Sequence, residues 1–416
     1  MRVTMPYALS PLAKELKNLE QQGDYLTLIK TLKEQLQQNK RTFADPYVKE
    51  WIGKRWRNLF IQAAVQDKQA VKVATKKLSI GKDKRSSEQK IAERFLKGDH
   101  LGEWSIAMPT AQGSNQIDDT LIFCPGFING LLPAHAFSQE FPQLEQEYGW
   151  KIFQADAHPM RSCEANQQDL LAAILEGKGF QSNPGGASDQ FRTPVAPDNV
   201  FLMGYSKGAP DILTTLVNHH DKIGSKVKCV VTWAGAIGGS YMADNFYELI
   251  KNADTDLLTG RLHDFLQLLA PNVTRKGSLR RLNEYDIKGG VHSLTTQARA
   301  EFYKQYHQLL DELDIPIINI TSATTALEVP TFQIADCLSL TRFDGNNDMQ
   351  VTQEQAKIKL PMAAHAAMLH GHHWDISYPP FPRAVRMTSP NLDHPFPRKA
   401  AIIAIYQLLA ELGLIE

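Results

Sequence analysis

The chain has 416 residues, 43% of them hydrophobic and 22% charged, enough for a large core plus an additional module or long insertions. Its 45 Lys and Arg are balanced by 45 Asp and Glu, and no nucleic-acid-binding motif accompanies the basic residues, so nucleic acid is not expected as a partner. No apolar run approaches the roughly 20 residues that span a bilayer, and the opening MRVTMPYALSPLAKELK lacks the apolar core of a signal peptide, so a soluble, cytoplasmic protein is expected.

From Pro11 to about Gly98 the apolar spacing is helical: Leu12, Leu16 and Leu19, then Leu26, Leu28, Ile29 and Leu32, then Trp56, Leu59, Phe60 and Ala63. Asp45-Pro46 has the form of a helix start, and Gly81 to Ser87 is a polar break. Residues 1–100 carry about ten more cationic than anionic side chains, and the remainder carries the opposite excess. Two readings follow: a basic helical region docked on an acidic domain, or a contact with a membrane or anionic partner. The segment Trp51-Ile-Gly-Lys54-Arg55-Trp56-Arg57 interleaves aromatic and cationic groups, as interfacial helices do, and supports the second.

From about residue 101 to 416 short β-rich runs alternate with helical stretches, the pattern of a mainly parallel sheet covered by helices on both faces. The predicted strands are Thr120–Cys124, Lys151–Ala155, Val200–Met203, Val227–Trp233, Ile315–Ile320 and a short one near Ala363–Leu369. A helical insertion, at about 240–313 and including Asp254–Leu269 and Leu294–Leu313, is placed to form a lid or pocket wall. Gly177 to Pro197, rich in Gly, Ser and Pro, reads as a surface loop. The four cysteines, Cys124, Cys163, Cys229 and Cys337, are too scattered for a disulfide framework or a zinc site.

The most informative stretch is Asn199 to Pro210, where Gly204-Tyr205-Ser206-Lys207-Gly208 follows a predicted strand and opens a predicted helix. That context makes it a nucleophile elbow, with the glycines removing side chains that would collide with strand and helix. A serine hydroxyl needs a base, itself oriented by a carboxylate. Candidates come later in the chain: Asp344 and Asp348 in one turn-rich loop, then His370, His372 and His373. Those three histidines also permit a metal cluster, against the simpler reading of a hydrogen-bonded loop. Asp156 to Ser162, with His158 and Arg161, either lines the same edge or stabilises its own loop, and Trp233, Tyr241 and Phe246 either line an acyl pocket or pack the core.

The order Ser, Asp, His and four local signatures resemble the α/β-hydrolases, closest in motif to bacterial lipases and esterases. Besides the elbow these are Leu121 to Phe127, which is similar to the strand and oxyanion loop, Ala236 to Ser240, and Asn347-Asp348-Met-Gln-Val351 together with His373-Trp374-Asp375. Met349 stands where glycine is usual, and Pro125 where many lipases have histidine. The resemblance covers roughly residues 105–415. It implies Ser206 as nucleophile, His373 as base, with His370 or His372 as alternatives, and Asp348 as acid, with Asp344 as alternative. It also implies the backbone N–H groups of Phe127 and Lys207 as the oxyanion hole. The Lys207 side chain reads as a solvated residue of the elbow helix or a contact for an anionic substrate. The implied activity is hydrolysis of carboxylic esters with no metal or organic cofactor. A thioesterase or acyltransferase on the same scaffold, or a non-catalytic binding module using the basic helices, are the alternatives.

Overall fold

The computed structural model describes residues 9–75, 83–98, 102–112, 116–129, 132, 134–181, 190–253, 281, 284–389 and 391–416. Five helices open the chain: α1 (Pro11–Gln22), α2 (Tyr25–Gln38), α3 (Pro46–Gln66), α4 (Lys68–Ala74) and α5 (Ser87–Phe95). Asp45 caps α3 as its position before Pro46 predicts, its carboxylate accepting from the amides of Tyr47 and Val48. A two-residue strand, β1 (Leu96–Lys97), follows. The sheet is then built from β2 (Thr120–Cys124), β3 (Ile152–Gln154), β4 (Phe180–Gln181), β5 (Gln190–Phe191), β6 (Val200–Tyr205), β7 (Val227–Trp233), β8 (Ile317–Ala323) and β9 (Ala363–His370). Its order is β1-β9-β8-β7-β6-β2-β3-β4-β5. The six strands from β9 to β3 run parallel, while β1 and the β4–β5 pair are antiparallel additions at the two edges.

Period-two alternation sends successive side chains to opposite faces. Leu121 and Phe123 of β2 join one core, with Phe201, Met203 and Ile320, while Ile122 and Cys124 join the other, with Leu202 and Val230. The second core is covered by α7 (Cys163–Glu176), α8 (Gly208–Ile223) and the helix Thr296–Glu312. The first is covered by the C-terminal helix Arg398–Glu411, by α6 (Glu140–Tyr148) and by the N-terminal helices. The described helices between Pro11 and Phe95 thus share a core with the sheet.

The tightest join is at α3. A Cβ on Gly53 would lie 2.9 Å from the His365 carbonyl of β9, so the helix backbone approaches the strand as only glycine permits. Beside it the pairing of β8 with β9 shifts register, and the Ala366 carbonyl in that shift accepts from Arg57 at 2.8 Å. Arg57 also pairs with Glu103, and Arg55 is buried against Glu411 at 2.6 Å. Trp51 and Trp56 are buried as well. The aromatic–cationic segment therefore faces protein carboxylates and core rather than an exposed interface, which removes it as support for membrane or anionic-partner contact. The basic region docks on acidic residues of the later chain, with Arg41 also pairing with Asp311 and Asp314.

The expected surface loop at Gly177–Pro197 instead contributes the edge strands β4 and β5, with the Phe180 and Phe191 rings in tilted contact, 4.5 Å between centroids. The insertion is described as α9 (Tyr241–Ile250) and the helices Ile287–His292 and Thr296–Glu312, and the predicted helix Asp254–Leu269 lies outside the described residues. No helix among the described residues is long and apolar enough to cross a membrane.

Candidate active site

β6 delivers Ser206 to the end of the central strand, and α8 starts two residues later. Ser206 has φ +54°, a left-handed conformation that L-residues avoid unless the surroundings impose it. The surroundings do impose it. The Ser206 amide donates to the Trp233 carbonyl of β7, and the Ser206 carbonyl accepts from Ala236 and Ala209. A Cβ on Gly208 would lie 2.0 Å from the Cys124 carbonyl, and one on Gly204 would lie 2.6 Å from the Ala209 amide. Both glycines are therefore sterically required, and the serine side chain, 8% exposed, has the turn to itself.

The loop after β2 presses on this turn. A Cβ on Gly126 would meet the Ser206 Cβ at 2.8 Å, so the Pro125–Phe127 backbone runs directly alongside the serine. Neither the Phe127 nor the Lys207 amide donates to another described residue. The Phe127 ring lies against Gly290 of the insertion.

Asp348 and His373 are brought together from the loops after β8 and β9. His373 Nδ1 is 2.8 Å from Asp348 Oδ2, and both residues are almost completely buried. Asp348 Oδ2 also accepts from Ser322 at 2.9 Å, while Oδ1 accepts from the amides of Gln350 and Val351 at 3.0 and 2.8 Å. Four donors thus fix the position of one carboxylate. The His373 amide donates to the Asp348 carbonyl, locking the two loops together. Tyr205 donates its hydroxyl to the His373 carbonyl at 2.9 Å and lays its ring beside the imidazole, 4.9 Å between centroids. His373 Nε2 is buried without a hydrogen-bond partner among the described residues.

With this geometry in view, comparison with solved structures gives a match to the metagenomic carboxyl esterase, with a TM-score of 0.60 at 18% identity, over 85% of this chain and 91% of that one. The chain has the α/β-hydrolase fold. Lipases from Staphylococcus hyicus and Pelosinus fermentans align less closely, with TM-scores of 0.43 and 0.42 at 13% and 14% identity, over 73% and 71% of this chain and 98% of each of theirs. No family model and no curated protein matches the sequence.

The other site candidates lie elsewhere. Asp344 accepts from the Asn346 amide in its own turn. His370 pairs with Glu328 at 3.0 Å, which holds that carboxylate well below its ordinary pKa. His372 is buried with Nε2 against the Asn391 carbonyl and Nδ1 accepting from the Asp375 amide, and burial lowers its pKa. Among the described residues no three His, Cys, Asp or Glu side chains gather as a metal-binding group. Asp375 does not touch His373; its Oδ1 accepts from the Phe396 amide, and burial raises its pKa.

Trp233 is a core residue that donates to Ser377, and Tyr241 stacks on Phe343, whereas Phe246 is exposed. His158 and Arg161 stabilise their own loop: His158 Nδ1 accepts from Met160, and Arg161 pairs with Asp169 and Glu284. The Lys207 side chain is neither solvated nor free for substrate. It is buried, with Nζ 2.6 Å from Asp211 Oδ1. Burial alone works against its charge, but the Asp211 carboxylate outweighs this and raises its pKa.

Sequence reading missed Tyr205 and Ser322, the two side chains that steady His373 and Asp348. Tyr205 sits inside the elbow pentapeptide and Ser322 near the end of β8, but neither type has a spacing rule that points to such a contact.

Proposed function

We propose that this chain is a serine hydrolase that cleaves carboxylic esters through an acyl-enzyme. The observation that carries the reading is the buried Asp348–His373 pair, whose outer imidazole nitrogen has no partner among the described residues, at the same edge of the parallel sheet as a serine in a left-handed turn. In this scheme Ser206 Oγ attacks the ester carbonyl carbon while His373 Nε2 takes the hydroxyl proton. The tetrahedral oxyanion is held by the Phe127 and Lys207 amides. As the carbon–oxygen bond breaks, His373 returns the proton to the departing alkoxide. Water, deprotonated by His373, then attacks the acyl-enzyme and releases the carboxylic acid and free Ser206. Asp348 stays ionised throughout and keeps the Nδ1 proton in place. The acyl group is assigned an apolar character, because α9, whose capping Ser240 donates to the Gln350 carbonyl of the acid loop, carries the exposed Phe246 and Leu249.

A fluorescent fluorophosphonate applied to purified protein tests the reading. Labelling is expected in the wild type and absent in Ser206→Ala, in parallel with loss of p-nitrophenyl ester hydrolysis. A Ser206→Ala protein that still hydrolysed esters at the wild-type rate would refute it.

A further inference from the structure

The serine mechanism gives no role to the ion pair beneath the elbow. Lys207 and Asp211 are each about 1% exposed and sit one helical turn apart at the start of α8. Asp211 Oδ2 accepts from Asn166 Nδ2 of α7 at 3.0 Å. Asn166 in turn donates to the His158 carbonyl at 2.9 Å and accepts at Oδ1 from the His158 amide and from Arg161 Nε, at 3.1 and 3.3 Å. A continuous polar path therefore links the residue after the serine to the loop that follows β3.

Stability alone is a poor reason for this arrangement. A buried ion pair loses several kcal/mol of solvation per ion, and apolar side chains of similar volume commonly serve as well or better. Position offers a better one. Lys207 has helical backbone angles and no side-chain cap, and its own amide donates to no described residue. The carbonyl half of the peptide that carries the Lys207 N–H is held by Ala209 and Ala236; the tether of the Lys207 side chain to Asp211, and of Asp211 to a second helix, constrains its other end.

We propose that Lys207 and Asp211, steadied by Asn166, are positioning residues that aim the Lys207 amide at the developing oxyanion. The inference rests on the serine-hydrolase reading of the same site. Displacing a donor by a fraction of an ångström weakens transition-state binding more than substrate binding, because the amide meets the full oxyanion only after attack.

The test uses the full chain with p-nitrophenyl butyrate, each variant's active sites being counted by fluorophosphonate titration. Lys207→Met is expected to lower kcat per titrated site by roughly tenfold to a hundredfold with KM within about twofold. Lys207→Met with Asp211→Leu removes both charges and is expected to recover thermal stability without recovering kcat. Asn166→Ala is expected to lower kcat in wild type but to add little to Lys207→Met. If kcat per titrated site stays at the wild-type value while stability falls, the pair is packing only and the proposal is overturned. A double variant that fails to fold overturns it too, since it makes the pair structural. Absence of labelling in the wild-type protein overturns instead the serine-hydrolase reading beneath it.

Discussion

The two halves of the candidate site are held by different means. On the acid–base side every polar atom but one is engaged: Asp348 accepts four hydrogen bonds, and His373 keeps only Nε2 unpartnered among the described residues. On the nucleophile side the groups proposed to react are left unengaged, and backbone geometry does the holding: a left-handed Ser206, two sterically required glycines and two amides without described acceptors. The contrast teaches that a charge which must persist is saturated with partners, while groups that must meet a transient charge are kept free of them.

Variants on each side probe that contrast. The largest effect is expected for Ser206→Ala, a fall in kcat on the order of 10⁶-fold with an unchanged melting temperature, since only one hydroxyl is lost. Asp348→Asn is expected to lower kcat about 10⁴-fold by presenting the wrong donor to Nδ1, readable in steady-state kinetics and in slower phosphonate labelling. Phe127→Pro deletes one free amide and is expected to lower kcat about 10²- to 10³-fold, with circular dichroism confirming the fold. Asp344→Asn, outside the pair, is expected to leave kcat within about twofold; a loss like that of Asp348→Asn would shift the acid role to Asp344.

Stability supplies two further tests. Met349 occupies the left-handed region at φ +75° yet is fully buried. Met349→Gly would relieve roughly 1–2 kcal/mol of backbone strain but lose about 2–5 kcal/mol of packing, so urea denaturation should show net destabilisation. Burial holds His158 at a pKa of about 4 and depresses His372 and His394 as well, below the ordinary histidine value of about 6.5. Below that value the unfolded chain binds these protons and the folded chain resists them. Stability is therefore expected to be complete above about pH 6.5 and to fall as pH drops from there toward 4, measurable as a declining melting temperature.

Much of the parallel sheet was legible because each strand is a short apolar run bounded by turn residues. β2 and β7 match their expected bounds, and β8 is displaced by only a few residues. The elbow was legible because its determinants, strand, two glycines and helix, are contiguous. Choosing between Asp348 and Asp344 was not a matter of local pattern: the Met349 conformation and the Ser322 hydroxyl set which carboxylate turns inward. The aromatic–cationic segment of α3 misled for a related reason. The same alternation suits lipid headgroups or protein carboxylates, and its partners Glu103 and Glu411 lie 46 and 356 positions away. The Lys207–Asp211 spacing of four was visible in the sequence, but burial is what separates an inward pair from an ordinary surface one.

The Arg55–Glu411 contact has a consequence for synthesis. The helix Pro46–Gln66 finds Arg398–Glu411 only once that later helix has emerged, and the Arg55–Glu411 pair closes a span of 356 residues. The face of α3 that meets this helix must therefore wait, solvent-accessible or chaperone-held, while the residues between them are made, and closure of this contact is expected to be a slow event dominated by non-local contacts. Protease protection of α3 during synthesis should appear only after Arg398–Glu411 has left the ribosome, which makes this helix pair the clasp that completes the fold.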